Sequence, residues 1–344
     1  MLSKWYIKKK VAQYDCKMEE LFGDCEEHSV ESFDGTRIAY RTIGEGEPAI
    51  VHAPGVFTSY MFFHYMKNYF SPNHKLVFWD YRGHPESDIP ENLESITLEN
   101  CARDLKAVMD DAGVGKAVYT GHSMGVMTIL EFYRQFPGKV LGLIPINGPY
   151  REGFEFAAET KKGQERVTTA LRFLSHKPWL MEWFRPVVVL PINVAIAKKV
   201  EINPTMCPSQ EMTLYFDYVA KMDWHAGFQA LAAMSVYDGS DILETVKVPT
   251  LVICGDSDTW APKKIADELH RHIKGSELAV IPGGSHATPA ENPQMINYRI
   301  DLFLKNHFSD LMEGKHAKPP KKKAASRAGR TGAASAKRAG SGAR

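Results

Sequence analysis

Short apolar runs alternate with helix-like stretches along the first 149 residues of the chain. A period of two over Ser29–Phe33 and Thr36–Thr42, on either side of an Asp-Gly turn, predicts an antiparallel hairpin. Helical spacing over Leu98–Ala112, with Thr97 as N-cap, predicts an amphipathic helix. Buried strands are predicted at 49–53, 75–80, 117–120 and 141–146. Strands and helices that alternate with short links predict an α/β fold with a mostly parallel sheet and helices on both faces.

The strand pattern stops between residues 150 and 239 and then resumes. The interrupted region is helical in character and rich in tryptophan, phenylalanine and methionine, which predicts a helical cap (lid) inserted between two strands. We therefore expect a core made of residues 28–149 and 240–313, with the cap at 150–239. Residues 1–27 form an N-terminal extension, interpreted as a surface helix packed on the body, with a membrane-surface anchor as the alternative.

Charge is distributed unevenly along the 344 residues, although the formal net charge is only +1. The last thirty residues carry ten Lys and Arg and no acid, which leaves 32 basic against 41 acidic residues, a net of −9, in the rest. Residues 314–344 are too poor in apolar side chains to fold, so a disordered basic tail is expected there. The tail could contact anionic surfaces, but it lacks aromatic residues for stacking on bases, so specific nucleic-acid binding is not expected.

Five scattered cysteines form no C-x-x-C pair, which is typical of a reducing compartment. The N-terminus has no apolar run of signal-peptide type, and no stretch approaches the roughly 18 apolar residues of a transmembrane helix. The sequence thus predicts a cytoplasmic protein without a transmembrane segment, and it predicts neither a metal nor a cofactor. It does not predict the oligomeric state.

The stretch around Ser123 carries the strongest chemical pattern. The sequence 121–125 (GHSMG) follows a predicted strand and precedes a predicted helix. A G-x-S-x-G motif in that context forms a sharp turn that exposes the serine oxygen, with a helix N-terminus behind it to favour negative charge. Ser123 is therefore the predicted nucleophile; the alternative is a glycine-rich helix start in which Ser123 only caps the helix.

An acid and a histidine follow at the ends of two later predicted strands. Asp258 lies at the tip of the loop after 249–254, and His286 follows a Gly-Gly-Ser turn after 277–281. The order Ser, Asp, His, each at the end of a separate predicted strand, is the order in which a sheet of this kind presents a catalytic triad. Asp256 is the alternative acid, although its place near the strand suggests that it binds loop amides.

An oxyanion formed at Ser123 needs backbone N–H donors. In this architecture one donor follows the nucleophile, here Met124, and one follows the first long strand. Pro54 has no N–H, so Val56 is the predicted second donor, with Gly55 and Phe57 as alternatives.

Other polar residues at the predicted strand ends have structural interpretations. His52 is expected to form a structural hydrogen bond, Asp80 and Arg82 to pair with each other, and His84 to lie in a loop.

With these motifs the chain resembles the α/β-hydrolase fold superfamily over roughly residues 31–308. The matching segments are 80–84 (DYRGH), 121–125 (GHSMG), 255–258 (GDSD) and 284–286 (GSH). The resemblance implies a Ser123–His286–Asp258 triad and acyl transfer to water. Pro54 departs from the pattern where a histidine often precedes the oxyanion glycine, and Pro85 replaces a usual glycine. Epoxide hydrolases and dehalogenases of the superfamily carry a carboxylate at the nucleophile position, where this chain has serine.

The expected activity is hydrolysis of a small hydrophobic ester, acyl or aryl, through an acyl-enzyme. Hydrolysis of a lactone, a thioester or a carbon–carbon bond would use the same triad. Two alternatives remain: a catalytically silent scaffold that binds a ligand, and a protein whose main role is tethering through the basic tail. The natural substrate is not encoded in any motif that we identify.

Overall fold

The computed structural model describes residues 2–151, 161–177, 203, 206 and 209–313. Eight strands form one sheet. They are β1 (Glu26–Glu31), β2 (Arg37–Ile43), β3 (Ala49–Ala53), β4 (Leu76–Trp79), β5 (Ala117–His122), β6 (Val140–Ile146), β7 (Leu251–Gly255) and β8 (Glu277–Ile281). β3 to β7 are buried along their whole length except for Leu141, as the continuous apolar runs predict.

The strands lie in the order β1-β2-β4-β3-β5-β6-β7-β8. β1 and β2 form the predicted antiparallel hairpin, and β2 pairs antiparallel with β4. The remaining neighbours pair in parallel, so the carboxyl ends of β3, β5, β6, β7 and β8 meet at one edge. The prediction of a mostly parallel sheet is confirmed, and ligands bind at this edge in open α/β sheets.

Helices cover both faces of the sheet. The described helices are α1 (Leu2–Phe22), α2 (His64–Phe70), α3 (Leu98–Asp111), α4 (Met124–Gln135), α5 (Lys161–Ser175), α6 (Ser209–Lys221), α7 (Trp224–Met234), α8 (Ser240–Leu243), α9 (Lys263–His272), α10 (Thr288–Glu291) and α11 (Pro293–Glu313). Short 3-10 turns lie at 60–63, 93–95 and 137–139. α3, α4 and α9 pack in one apolar cluster, and α1, α2 and α11 pack in the other.

α3 starts where the sequence predicts. The Thr97 side chain accepts a hydrogen bond from the Asn100 amide and so satisfies one of the free N–H groups of the first turn. Leu105 and Val108 of α3 are fully buried against the sheet.

α1 packs on the body, as predicted for the N-terminal extension. Tyr14 and Phe22 are fully buried, and the Tyr14 hydroxyl donates to Ser59 Oγ. Lys10 of α1 pairs with Asp217 of α6 at 2.9 Å. α1 therefore joins the sheet body to the region between β6 and β7.

The region between β6 and β7 contains α5, α6, α7 and α8 in its described parts, of which α5 to α7 fall within the predicted cap at 150–239. Residues 152–160 and nearly all of 178–208 lie outside the described residues, as does the predicted basic tail at 314–344. Among the helices of the described ranges, none combines the length and apolar character needed to cross a bilayer.

The predicted Asp80–Arg82 pair is wrong. Arg82 is fully buried and donates to Asp104 through both Nε and Nη2, at 2.6 and 2.5 Å, and to Asp34 through Nη1 at 2.8 Å. Asp80 instead accepts the Glu86 amide and the Tyr218 hydroxyl. Arg82 Nη1 also donates to Ser95 Oγ at 3.1 Å. The guanidinium therefore finds its acceptors on the hairpin turn, on α3 and on Ser95, and not on its sequence neighbour Asp80.

Candidate active site

Ser123 lies at the sharp turn between β5 and α4. Its backbone has φ 55° and ψ −119°, a conformation that non-glycine residues rarely adopt outside strained functional turns. Two glycines allow this turn: a Cβ at Gly121 would overlap the carbonyl of Gly125, and a Cβ at Gly125 would overlap the carbonyl of Ala53. The G-x-S-x-G pattern therefore produces close strand–helix contact and leaves the serine at the carboxyl edge of the sheet.

His286 lies between Ser123 and Asp258. Its Nε2 is 3.0 Å from Ser123 Oγ, and its Nδ1 is 2.9 Å from Asp258 Oδ2. The three residues come from the loops after β5, β7 and β8, which meet at the same sheet edge. The structure thus brings together the three residues that the sequence selected, in hydrogen-bonding order.

Asp258 is fully shielded from solvent and accepts four hydrogen bonds. The Trp260 and Ala261 amides donate to Oδ1 at 2.8 and 2.9 Å, while His286 Nδ1 and the Asn147 amide nitrogen donate to Oδ2. Burial acts to raise the pKa of Asp258, but the attraction of His286 and these hydrogen bonds outweigh it and hold the pKa below its usual value. The carboxyl group is therefore ionised at neutral pH.

Asp256, the alternative acid, does not reach His286. Its Oδ1 accepts the Gly283 amide at 2.7 Å and the Ser257 hydroxyl. As expected, it holds the loop that carries the histidine rather than the histidine ring.

The two predicted oxyanion donors lie close to the serine. Met124 is the first residue of α4, and Val56 lines the same cavity as Ser123. A Cβ at Gly55 would lie only 3.1 Å from the Ser123 Cβ, so the loop after β3 passes directly beside the nucleophile. Within the described residues, the Val56 and Met124 amides donate to no backbone carbonyl. Both predicted donors thus lie beside the nucleophile.

The cavity at Ser123 has a volume of about 260 Å³ and is mainly apolar. Its described lining is Val56, Phe57, Thr58, Phe62, His122, Ser123, Met212, Tyr215, Leu231, Trp260, His286 and Ala287. Met212 and Tyr215 come from α6, and Leu231 comes from α7, so helices between β6 and β7 form part of its wall. No Asp, Glu, Lys or Arg belongs to this described lining, which suits an uncharged ligand.

Three buried histidines have surroundings that keep them uncharged, and two of them have hydrogen-bond partners. His52 Nδ1 lies 2.9 Å from Thr120 Oγ1, as expected for a structural residue. His122 Nε2 donates to the His286 carbonyl at 2.9 Å, and burial together with the nearby His286 lowers the pKa of His122 to about 3. His84 lies in the loop after β4, as predicted, and is fully buried there, which lowers its pKa to about 3. These imidazoles are neutral.

Two site residues escaped the sequence analysis. Asn147, after β6, donates to Asp258 and to the Ser285 carbonyl. Glu291 accepts the amide and the hydroxyl of Ser285, and thereby fixes the loop that ends at His286. The Asn-Gly pair at 147–148 was a possible signal for Asn147, but such a pair is typical of an ordinary turn. No local sequence pattern distinguishes Glu291.

Among the described residues, no three His, Cys, Asp or Glu side chains are grouped so that they could hold a metal ion. The polar groups at the sheet edge form a hydrogen-bonded chain from Ser123 through His286 to Asp258.

Comparison with known proteins agrees with this architecture. Residues 48–293 match the family model of the alpha/beta hydrolase fold. The putative carbamate hydrolase RutD of Azorhizobium caulinodans is 25% identical over 267 residues, which cover 75% of this chain and 91% of that protein. Human epoxide hydrolase 4 is 22% identical over 279 residues, covering 79% of this chain and 76% of that protein.

Among solved structures, a thermophilic esterase from Thermogutta terrifontis superposes with a TM-score of 0.68 at 21% identity, covering 82% of this chain and 99% of that chain. At this identity the likeness concerns the fold. The family match spans most of the sheet and the loops that carry the site, and its relatives are hydrolases. The chain therefore belongs to the alpha/beta hydrolase fold family.

Proposed function

We propose that this protein is a serine hydrolase that cleaves an uncharged, hydrophobic carboxylic ester through an acyl-enzyme. Ser123 is the nucleophile, His286 the general base and acid, and Asp258 the group that orients His286. The observation that carries the proposal is the continuous set of short distances from Ser123 Oγ through the imidazole to a shielded carboxylate.

Acylation follows from this arrangement. His286 Nε2 takes the hydroxyl proton as Ser123 Oγ attacks the ester carbonyl, and Asp258 stabilises the imidazolium. The N–H groups of Met124 and Val56 hold the negatively charged oxygen of the tetrahedral intermediate. The intermediate collapses as the C–O bond to the alcohol breaks, and the alcohol leaves with the proton from His286.

Deacylation uses the same groups. His286 takes a proton from water, the hydroxide oxygen attacks the acyl carbon, and Ser123 leaves with the proton returned from Nε2. The acid product is released and the resting arrangement is restored.

The bond and substrate class are inferred from the cavity and the nucleophile. Apolar side chains supply binding area while few polar groups orient the carbonyl, which favours an acyl or aryl ester over a charged compound. Opening an epoxide by the route of the epoxide hydrolase relatives requires a carboxylate at the nucleophile position, and this chain has Ser123 there. Lactones and thioesters present the same carbonyl chemistry to the triad.

The cap at residues 150–239 is part of the proposal. It is supported by α6 and α7, whose Met212, Tyr215 and Leu231 line the cavity at Ser123. The basic segment 314–344 is proposed to contact anionic surfaces by charge alone, without a part in hydrolysis.

The test is hydrolysis of p-nitrophenyl esters from acetate to palmitate by the wild type and by Ser123→Ala. We expect turnover that peaks at a short to medium acyl chain and falls at least a thousandfold in Ser123→Ala. Ser276→Ala, a serine at the surface turn before β8, is the matched control and is expected to retain activity.

A fluorophosphonate probe provides an independent readout. It is expected to label the wild type and Ser276→Ala but not Ser123→Ala. Absence of both turnover and labelling in the folded wild type would refute the serine mechanism. Labelling without turnover of esters would retain Ser123 as nucleophile and reject the ester as substrate in favour of a lactone or thioester.

A further inference from the structure

Asn147 bridges the acid and histidine loops of the proposed triad. Its side-chain nitrogen donates to Asp258 Oδ2 at 2.7 Å and to the Ser285 carbonyl at 3.1 Å. Asp258 and Ser285 lie on the loops after β7 and β8, whereas Asn147 directly follows β6. One amide group therefore joins three adjacent loops at the edge where His286 must meet Asp258.

The chemistry of its partners fixes the orientation of this amide. An ionised carboxylate and a backbone carbonyl are both acceptors, so only the NH₂ end of the Asn147 side chain can face them. Both amide hydrogens are used. Asn147 Oδ1 is buried and has no hydrogen-bond partner within the described part of the chain. A buried acceptor left without a partner is costly, which indicates that the position is selected for its donor end.

The backbone at Asn147 is also unusual. Its φ is 45°, in the left-handed region that asparagine tolerates better than most residues. The Asn147 amide still donates to the Ile253 carbonyl of β7 at 3.0 Å, so sheet pairing anchors the residue on one side. The side chain is thereby aimed at Asp258 by a rigid support rather than by a free loop.

We propose that Asn147 is a positioning residue that sets the charge and orientation of Asp258 and, through it, the proton affinity of His286. The proposal rests on the triad roles assigned above. Asp258 Oδ2 is shared by His286 and Asn147, so each donor reduces the negative charge that the other sees. Asn147 thus weakens the attraction of Asp258 for the imidazolium while it fixes the carboxylate in line with His286 Nδ1.

Two substitutions test the side-chain donor of Asn147 separately from the backbone conformation at this residue. Asn147→Asp keeps the size of the side chain but places a second carboxylate beside Asp258. Asn147→Gly removes the donor and is compatible with a φ of 45°, so it adds no backbone strain. Asn147→Gly leaves more negative charge facing His286, so the titration midpoint of His286 is expected to move to higher pH. Asn147→Asp is expected to move it less, because two carboxyl groups so close together share one proton.

The primary readout is the titration of His286 in the full-length protein, followed by ¹H–¹⁵N NMR of the imidazole nitrogens, with His286→Gln used to assign the signal. This measurement does not depend on any substrate. Asn297→Asp is the matched control, since Asn297 is a buried asparagine that donates to the Tyr65 carbonyl away from the site. It is expected to leave the His286 midpoint unchanged.

Kinetics give the second readout. For the best p-nitrophenyl ester, we expect the Asn147 variants to have a kcat about ten- to a hundredfold lower than the wild type and an unchanged KM. The acid limb of the pH profile of kcat/KM should shift to higher pH together with the NMR midpoint of His286. Asn147 does not belong to the described cavity lining, which is why KM is expected to hold.

An unchanged His286 midpoint in both folded variants would overturn the proposal. So would a raised KM with kcat unchanged, because that would make Asn147 a binding residue. If no ester is turned over by the wild type while the midpoint still shifts, the positioning role stands and the assigned reaction fails. The two inferences therefore fail separately.

Discussion

Arg82 and Asp104 form a buried ion pair whose removal gives a sharp test of the fold. Both side chains have no exposed surface, and Asp104 accepts Arg82 Nε at 2.6 Å, Arg82 Nη2 at 2.5 Å and the Ser32 hydroxyl at 2.5 Å. Asp104→Asn keeps the shape of the side chain but removes its charge and turns an NH₂ group toward donors. Among the described residues, Asp34, a partly exposed carboxylate, is then the one acid left to pair with the buried guanidinium.

The expected cost follows from this loss. Breaking one partner of a buried pair typically costs about 3–5 kcal/mol, because the remaining charge stays buried without compensation. Since Asp34 still binds Nη1, we expect Asp104→Asn to lose about 3 kcal/mol of the free energy of unfolding and Asp104→Ala somewhat more. A whole domain has only about 5–15 kcal/mol of stability, so the change should be large in any unfolding assay.

Asp80→Asn is the paired comparison, because the sequence placed Asp80 rather than Asp104 beside Arg82. Burial raises the pKa of Asp80 to about 8, and the nearby Glu86 adds to the shift. The folded protein therefore keeps this carboxyl protonated over a range in which the unfolded chain ionises it. The resulting loss of stability grows from about pH 4 to about pH 8 and is absent below pH 4. Asp80→Asn removes that loss, so at pH 8 it should equal or exceed the wild type in stability.

The assay is urea unfolding followed by far-UV circular dichroism at pH 5 and pH 8, with the m-value checked for constancy. The urea midpoint of Asp104→Asn should lie below that of the wild type at both pH values. The difference between the midpoints of Asp80→Asn and the wild type should change in favour of the variant from pH 5 to pH 8. A cost below about 1 kcal/mol for Asp104→Asn, or an equal cost for both variants, would refute the assignment of the buried pair.

Three further changes test the site and its supports. Gly125→Ala forces a Cβ into the Ala53 carbonyl and should lower the melting temperature by several degrees and abolish ester turnover, as measured by calorimetry and the p-nitrophenyl assay. The pKa of Asp258 is lowered on folding, so its contribution to stability is present above about pH 4 and is lost as the pH falls further. The free energy of unfolding of Asp258→Asn should therefore change less with pH than that of the wild type in urea titrations from pH 3 to pH 6. Leu231→Trp adds bulk to the cavity wall and should move the preferred acyl chain to a shorter length without reducing labelling of Ser123 by the fluorophosphonate.

The sheet could be predicted because its signals are local. The period of two at the hairpin and the short apolar runs each specify a strand within a few residues, and the observed bounds differ from the predicted ones by only a few residues. The glycines around Ser123 likewise specify their turn locally. The order of the strand ends then placed Ser123, Asp258 and His286 at one edge, and the structure brings their side chains into contact.

Contacts between distant positions could not be predicted in the same way. Arg82 is joined to Asp34 and Asp104, which are 48 and 22 residues away, and no periodicity distinguishes them from the adjacent Asp80. Asn147 also looks like an ordinary turn residue until the loops after β7 and β8 come to lie beside it. Such choices depend on tertiary geometry, because burial and the number of available acceptors decide which charged groups pair.

Three non-glycine residues of the described chain have positive φ: Phe57, Ser123 and Asn147. They follow β3, β5 and β6, and all three belong to the candidate site or support it. Glycine would fit each backbone with less strain, yet glycine would remove the nucleophile at 123 and the Asp258 donor at 147. Selection of variants for heat resistance alone should therefore favour glycine at these loops and reduce hydrolysis, so directed evolution of this protein needs a screen that scores activity at every round.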